Sequence, residues 1–421
     1  MIRLDLAPLG RAAAVVERLA GAFEAAGHEL YLVGGMVRDL VLDQVSVADD
    51  LDLTTDAEPD AIKVILEPLA GVLWTQGERF GTIGAIVEGR NVEITTHRAE
   101  RYRDDSRQPI VTFGSSIEDD LFRRDFTINA MAVALPSHQL FDPYQGRTHL
   151  EQQRLVTPGS PEESFVDDPL RILRAARFTA RFGLRPDPDL VRAATDLAPR
   201  IEIVSAERIS DELERLLALP DPASGLDLLV TTGLLGRIIP DYLDRPEAAV
   251  DGVAAAAAVT TNLARRAGLL HPLGPTGAGE ALRRLRYSKQ AVEDTTVVLA
   301  GLPLVTEPVV TPERVRRTVA ELGLPRLVDT VALAGALAST GHPSPAGFDA
   351  ELARLTAGED LTDLGPPLSG RQVIDHLGIA PGPLVGQALA MLHNHRLAAG
   401  PLDTATAHQL LDRWWRARPS R

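Results

Sequence analysis

The sequence predicts an α+β protein: a small mixed α/β head followed by a long, all-helical remainder. Three observations predict it. Runs of β-branched, alternating character, VSVADDLDLTT at 45–55 and TIGAIVEGRNVEIT at 82–95, lie in the first 150 residues. From residue 163 onward, apolar residues recur at helical spacing. The chain, at 421 residues, is too long for one ordinary core.

The elements follow in order. Residues 11–27 read as an amphipathic helix that Gly27 stops. Glu29 to Val33 is a short strand ending at Gly34-Gly35, and Val37 to Leu42 is helical again. The strand at 45–55, a helix at 57–69 and the strand pattern at 82–95 complete the head. Residues 163–217 read as mostly helical, broken near Pro186 and Pro188. Further helices are expected at 224–236, 246–267, 279–300, 312–338, 346–355, 370–377, 382–397 and 403–417. Pro/Gly clusters at 272–278 and 365–370 are the expected linkers. The expected division is a head at 1–150, a helical neck at 151–220, a helical body at 221–365 and a helical tail at 366–421.

Composition narrows the function. The absence of cysteine excludes disulfides, zinc–thiolate sites and thiol catalysis. A formal charge of −15 argues against a general polyanion binder but leaves room for a local basic groove. The N-terminus has no apolar core like that of a signal peptide, and no window approaches a membrane-spanning run. A soluble cytoplasmic protein with no membrane partner is expected, and the oligomeric state stays open.

Two stretches carry chemistry. In LVGGMVRD, a glycine pair between strand and helix lets backbone N–H groups approach a phosphate, and Arg38 follows one turn on. Alone, such a pair is more often an ordinary tight turn. In Asp50-Leu51-Asp52-Leu53, alternation puts both aspartates on one face of a strand, which suits a bridging cation. An exposed, solvated acidic edge is the other reading of DLDL.

Strand, Gly-Gly turn, helix and aspartate-bearing strand together resemble the nucleotidyltransferase head of the polymerase-β type. VGGMVRD…DDLDLTT, FGTIGAIVEGRNVEITTHR, LFRRDFTINAMA and FVDDPLRILRAARF resemble, over residues 29–215, the class II tRNA nucleotidyltransferase and poly(A) polymerase family. The resemblance implies two Mg²⁺ ions held by Asp50 and Asp52, with Glu93 as a possible third carboxylate or an outward-facing strand residue. It implies Gly34, Gly35 and Arg38 around the triphosphate, and Arg123 and Arg124 on the nucleotide sugar and phosphates. It also implies that Asp168 and Arg171 read the base without a template, because this pair complements C and A and not U or G. Arg174 and Arg177 would reach the phosphates and orient that pair. Asp125 is an expected helix N-cap, with Asn129 one turn later. Arg171, Arg174, Arg177 and Arg181, with no acid between them, supply the local basic groove.

Residues 98–112 match the family's flexible loop, and 141–150 match its hinge, with His149 where Asp is common. At 269–274, LLHPLG places Pro272 where a metal-binding Asp of a phosphohydrolase domain would stand, so that activity is expected to be absent. The resemblance therefore implies addition of C, C and A to the tRNA acceptor end from CTP and ATP. A poly(A) polymerase sharing the head motifs, and a catalytically silent RNA-binding module, are the alternatives.

Overall fold

Sheet formation begins where the sequence alternates. The computed structural model describes residues 2–44, 50–103, 106–113 and 116–418, with side chains outside 98–115. Helix α1 (Arg11–Ala25) buries Val15, Val16, Leu19 and Phe23 along one face. Strand β1 (Leu30–Val33) leads through Gly34 into α2 (Gly35–Val41). Then come β2 (Leu51–Thr55), α3 (Pro59–Leu66), β3 (Ala70–Trp74), β4 (Thr82–Val87) and β5 (Arg90–Thr96). The strand expected over 45–55 is present from Leu51, and 45–49 lies outside the described residues. The 82–95 stretch is two strands, because Glu88 and Gly89 both adopt positive φ and turn the chain back.

The backbone of 98–112, expected as a loop, pairs as a hairpin of β6 (Arg98–Arg103) and β7 (Ser106–Phe113). Helix α4 (Ile117–Phe122) carries a capping box between Ser116 and Asp119. Strands β8 (Ala132–Leu135) and β9 (Gln139–Phe141) close a seven-stranded mixed sheet in the order β3-β4-β5-β2-β1-β8-β9. β2 and β5 run parallel, with Asp52 opposite Glu93. Leu51 and Leu53 are buried beneath the sheet while Asp52 faces out, as the alternation requires.

The chain continues through α5 (Gly146–Glu151), β10 (Arg154–Leu155), α6 (Pro161–Asp167) and α7 (Leu170–Phe182). β11 (Arg185–Pro186) pairs with β10 at the expected proline break. Helices α8 (Pro188–Leu197), α9 (Ala206–Leu217), α10 (Ala223–Thr231) and α11 (Leu234–Ile238) follow. α7 buries Ile172, Leu173, Ala175, Ala176 and Phe178. At Gly225 an added Cβ would meet the Ala176 carbonyl oxygen at 2.5 Å, so glycine is what lets α10 close on α7. Residues Met1–Pro240 form one compact unit and Asp241–Arg421 a second.

The second unit is helical throughout: α12 (Pro246–Ala257), α13 (Asn262–Leu270), α14 (Gly274–Arg284), α15 (Lys289–Thr306), α16 (Pro312–Leu322), α17 (Leu324–Ala338), α18 (Ala346–Gly358), α19 (Gly370–Leu377), α20 (Pro383–Ala399) and α21 (Thr404–Arg416). Three helices expected to be continuous are each two. Thr261 caps α13 after a break, Ser288 caps α15 after Arg286 turns left-handed, and Gly323 at φ +77° separates α16 from α17. The expected linker at 272–278 is helical from Gly274, its proline being tolerated in the first turn. Val305, Val315, Leu327, Phe348 and Leu355 centre one apolar cluster, and Leu368, Val373, Leu392 and Leu411 another. Trp414 packs against the latter. No helix among the described residues is long and apolar enough to cross a membrane.

Candidate functional site

A cavity of about 720 Å³ opens in the first unit, lined by Gly34, Gly35, Arg38 and Asp52 from the head. Arg123, Arg124, Asp168, Arg171, Arg174 and Arg177 line it as well. Of the residues expected at the site, only Asp50 and Glu93 are absent from this lining.

Gly34 sits at φ +74°, and a side chain there would press to 3.2 Å from Arg124 Nη1 and 3.9 Å from Asp52 Oδ2. Conformation and space both demand glycine, and the backbone at the start of α2 is thereby left bare toward the cavity. Asp52 and Glu93 are exposed cross-strand neighbours on one face. Their hard oxygens fit a hard divalent cation. Asp50, just ahead of β2, lines a separate cleft of about 530 Å³ with Arg11, Glu88 and Arg90. Among the described residues no three of His, Cys, Asp and Glu gather as a metal-holding group. Alternation alone does not fix Asp50, which lies just ahead of the strand.

Arg38 is 4% exposed. Its guanidinium donates to Asp39 Oδ1 at 2.8 Å and to Asn129 Oδ1 at 2.6 Å, and lies 4.4 Å from the Phe182 ring centroid. Burial pushes its pKa down. Arg38 therefore packs against the glycine turn at the cavity wall with its guanidinium already held by Asp39 and Asn129. Asn129 Nδ2 in turn donates to Asp125 Oδ1 at 2.9 Å, and Arg174 Nε donates to Asp125 Oδ2 at 2.9 Å. A continuous chain of charge-assisted bonds thus runs from α2 to α7. Burial acts to raise the Asp125 carboxyl, but Arg174 and Asn129 outweigh it and hold it below the ordinary carboxylate range. Asp125 is a junction and not the expected helix cap: residues Thr127–Asn129 form one 3₁₀ turn whose N-cap is Phe126.

Arg123 and Arg124 both pair with Asp120, at 2.6 and 3.2 Å. Asp120 is fully buried, and its two arginines overcome burial to keep it ionised. Sequence reasoning missed it, although its spacing of three and four residues ahead of two arginines is a readable helical signal. Arg124 Nε is buried with no hydrogen-bond partner.

Asp168 ends α6 and starts α7. Its Oδ1 accepts the Leu170 N–H at 3.2 Å, and its Oδ2 pairs with Arg208 at 2.7 Å. Arg171 donates to Ser164 Oγ at 2.8 Å and to the Arg123 carbonyl. These partners orient the expected base-reading pair. Arg174 and Arg177 line the same cavity and pair with Asp125 and with Glu212, a buried residue on α9. The basic stripe on α7 is therefore partly neutralised by acids from elsewhere in the chain. Glu212 and Arg208 carry no local signal, since their partners lie 35 and 40 residues away. His149 bonds through Nδ1 to Thr127 Oγ1 at 2.9 Å, tying the expected hinge to that 3₁₀ turn.

In the second unit, His271 bonds to the Gly268 carbonyl and Pro272 lies in the turn after α13. Neither His393 nor His395 is paired with a carboxylate in any hydrogen bond or ion pair of the described residues. Arg284 of the expected RNA-contacting group is paired with Asp241.

Comparison with known proteins agrees with this geometry. Residues 30–156 match a family described as "Poly A polymerase head domain". Residues 183–244 match a "Probable RNA and SrmB- binding site of polymerase A". A CCA-adding enzyme of Geobacillus thermodenitrificans is 34% identical over 372 residues, 86% of this chain and 87% of that protein. One from Streptococcus gordonii is 40% identical over 219 residues, about half of each chain. Among solved structures, the Bacillus stearothermophilus CCA-adding enzyme in complex with CTP is 28% identical, with a TM-score of 0.74 over 97% of this chain and 98% of its own. The Thermotoga maritima CCA-adding enzyme complexed with tRNA, at 21% identity and a TM-score of 0.73, shares the fold. With the glycine turn, the outward Asp52 and the Asp168–Arg171 pair meeting in one cavity, and a relative matched over nearly its whole length, the chain belongs to the CCA-adding enzyme family of nucleotidyltransferases.

Proposed function

We propose that this protein completes the tRNA 3′ end by adding C, C and A from CTP and ATP, choosing each base with its own side chains. The observation that carries the reading is a single cavity holding both Asp52 and the Asp168–Arg171 pair. Asp168 offers an acceptor to the exocyclic amine of C or A, and Arg171 offers donors to the ring nitrogen. Arg208, Ser164 and the Arg123 carbonyl hold that pair before substrate arrives, so little ordering remains when a base binds. The bare backbone at Gly34 and Gly35, with Arg123 and Arg124, would surround the triphosphate, and the buried Arg124 Nε–H is a donor awaiting an acceptor.

Members of this family use divalent metal. Mg²⁺, in two ions, is the proposed form, held by Asp52 and Asp50 with Glu93 beside Asp52; it would activate the RNA 3′-hydroxyl and neutralise the triphosphate. The helical tail at 366–421, with its own apolar core, is proposed to grip the tRNA arm.

The test is incubation of the purified protein with Mg²⁺, CTP and ATP, singly and together, and tRNA transcripts ending before CCA, after C and after CC. Product that stops at CCA supports the reading. A long A tail on any RNA would assign it to poly(A) synthesis, and RNA binding without incorporation would assign it to a silent binding module.

A further inference from the structure

Beyond the cavity, the outward face of the sheet continues as a polar ladder. Thr54 lies two residues after Asp52 on β2, and Thr95 and His97 lie two and four after Glu93 along β5 and its end, so all share that face. The His97 N–H extends the parallel ladder to the Thr55 carbonyl at 2.6 Å. His97 is 2% exposed. Thr54 Oγ1 donates to the Thr95 carbonyl at 2.9 Å, which uses its one proton. The contact of 2.9 Å between Thr54 Oγ1 and His97 Nδ1 therefore has the ring nitrogen as donor. Nε2 is left as a lone pair, fully buried and without a hydrogen-bond partner. A buried polar atom of this kind costs free energy unless something uses it.

The groups facing the ring come from every side. Asp120 and Arg123 act on it from α4 and the turn after it, Glu29 from ahead of β1 and Asp56 from the end of β2. The Tyr31 ring lies 5.7 Å away. Burial outweighs the carboxylates and lowers the imidazole pKa, so the ring is neutral at pH 7.

We propose that His97 is a positioning residue for nucleotidyl transfer, its Nδ1 fixed to the Asp52 strand and its Nε2 kept as an acceptor for an Arg123 N–H. Arg123 now pairs with Asp120. A triphosphate competes with that carboxylate for the guanidinium, and a second, uncharged acceptor keeps the arginine in place while its ion pair loosens. Protonation of His97 would turn the acceptor into a donor bearing positive charge near Arg123 and would undo this.

The inference rests on the proposed CCA addition, and the experiment keeps the two apart. Wild-type protein with Mg²⁺, CTP and a tRNA transcript ending before CCA must incorporate C; if it does not, the functional reading fails and His97 is not at issue. With that activity in hand, the two ring nitrogens are tested separately. His97→Asn keeps a donor where Nδ1 stands and removes Nε2, whereas His97→Gln keeps an acceptor near Nε2 and loses the bond to Thr54. His97→Asn is expected to lower kcat about tenfold with KM for tRNA unchanged, and His97→Gln to recover most of that loss. Wild-type kcat in His97→Asn, with His97→Gln the damaged variant, overturns the proposal and leaves only a structural bond. If His97→Asn melts below wild type, the cycle with Arg123→Ala still decides. Loss of the His97→Asn effect in the Arg123→Ala background supports the proposal, and independent, additive effects overturn it.

Discussion

Asp52, Arg171 and Asp125 show three ways a charged side chain serves this cavity. Asp52 faces out on a strand whose other residues are buried, so the sheet sets the face on which it stands. Asp52→Ala should abolish nucleotide incorporation, measured with labelled CTP, and leave tRNA binding by filter retention nearly intact. Arg171 is oriented by Ser164 and a backbone carbonyl. Arg171→Ala should relax or destroy selection of C and A over U and G, read from kcat/KM with each NTP. Asp125 is buried and held ionised by Arg174 and Asn129. Its folded pKa lies below the unfolded value of about 3.9, so its stabilisation is present above that pH and is lost as pH falls through the folded pKa. Asp125→Asn should therefore flatten the fall in stability below about pH 4, measured by urea unfolding at a series of pH values. The identities of Asp52 and Arg171 are legible from motif and spacing. The partners Glu212 and Arg208 are not, because a pair separated by 35 or 40 residues forms only when the helices pack.

Helix α7 carries half of the cavity's arginines, and its behaviour as an element follows from two opposed faces. Ile172, Leu173, Ala175 and Ala176 are buried, while Arg171 and Arg174 reach the cavity. The stripe of arginines reads from sequence as a basic groove. In the fold it is a scaffold in which Asp125 and Glu212 each take an arginine, so the net charge offered to phosphate is smaller than the sequence suggests. α7 also depends on a neighbour's missing side chain. Gly225→Val should place methyl groups against the Ala176 carbonyl and Leu216. A loss of about 1–3 kcal/mol is expected from overpacking at such a contact, checked by denaturant titration. Breaks between helices were the least legible elements. Ser288, Thr261 and Gly323 each act as a punctuation residue in a stretch whose apolar periodicity runs on regardless.

At the scale of the whole molecule, two compact units divide the work of folding, and the second contains a buried ionic centre with no counterpart in any motif. Arg316 and Arg396, each 6% exposed, both donate to Glu359 at 2.8 Å. Glu359→Ala would leave two buried arginines without their acid and should cost about 3–5 kcal/mol, measured by thermal and urea unfolding. The sequence by itself determined the α+β order, the outward Asp52, the glycine turn and the arginine–aspartate motifs, because alternation, helical period and local spacing all act within a few residues. Tertiary structure decided which charges remain available. It tied Arg38, Arg174 and Arg177 into ion pairs at the cavity wall, left Asp50 just ahead of β2 and not on it, and placed His97 with a buried lone pair. Pairing of this kind depends on which distant segments share a low-dielectric interior, and nothing in the local order of residues encodes that.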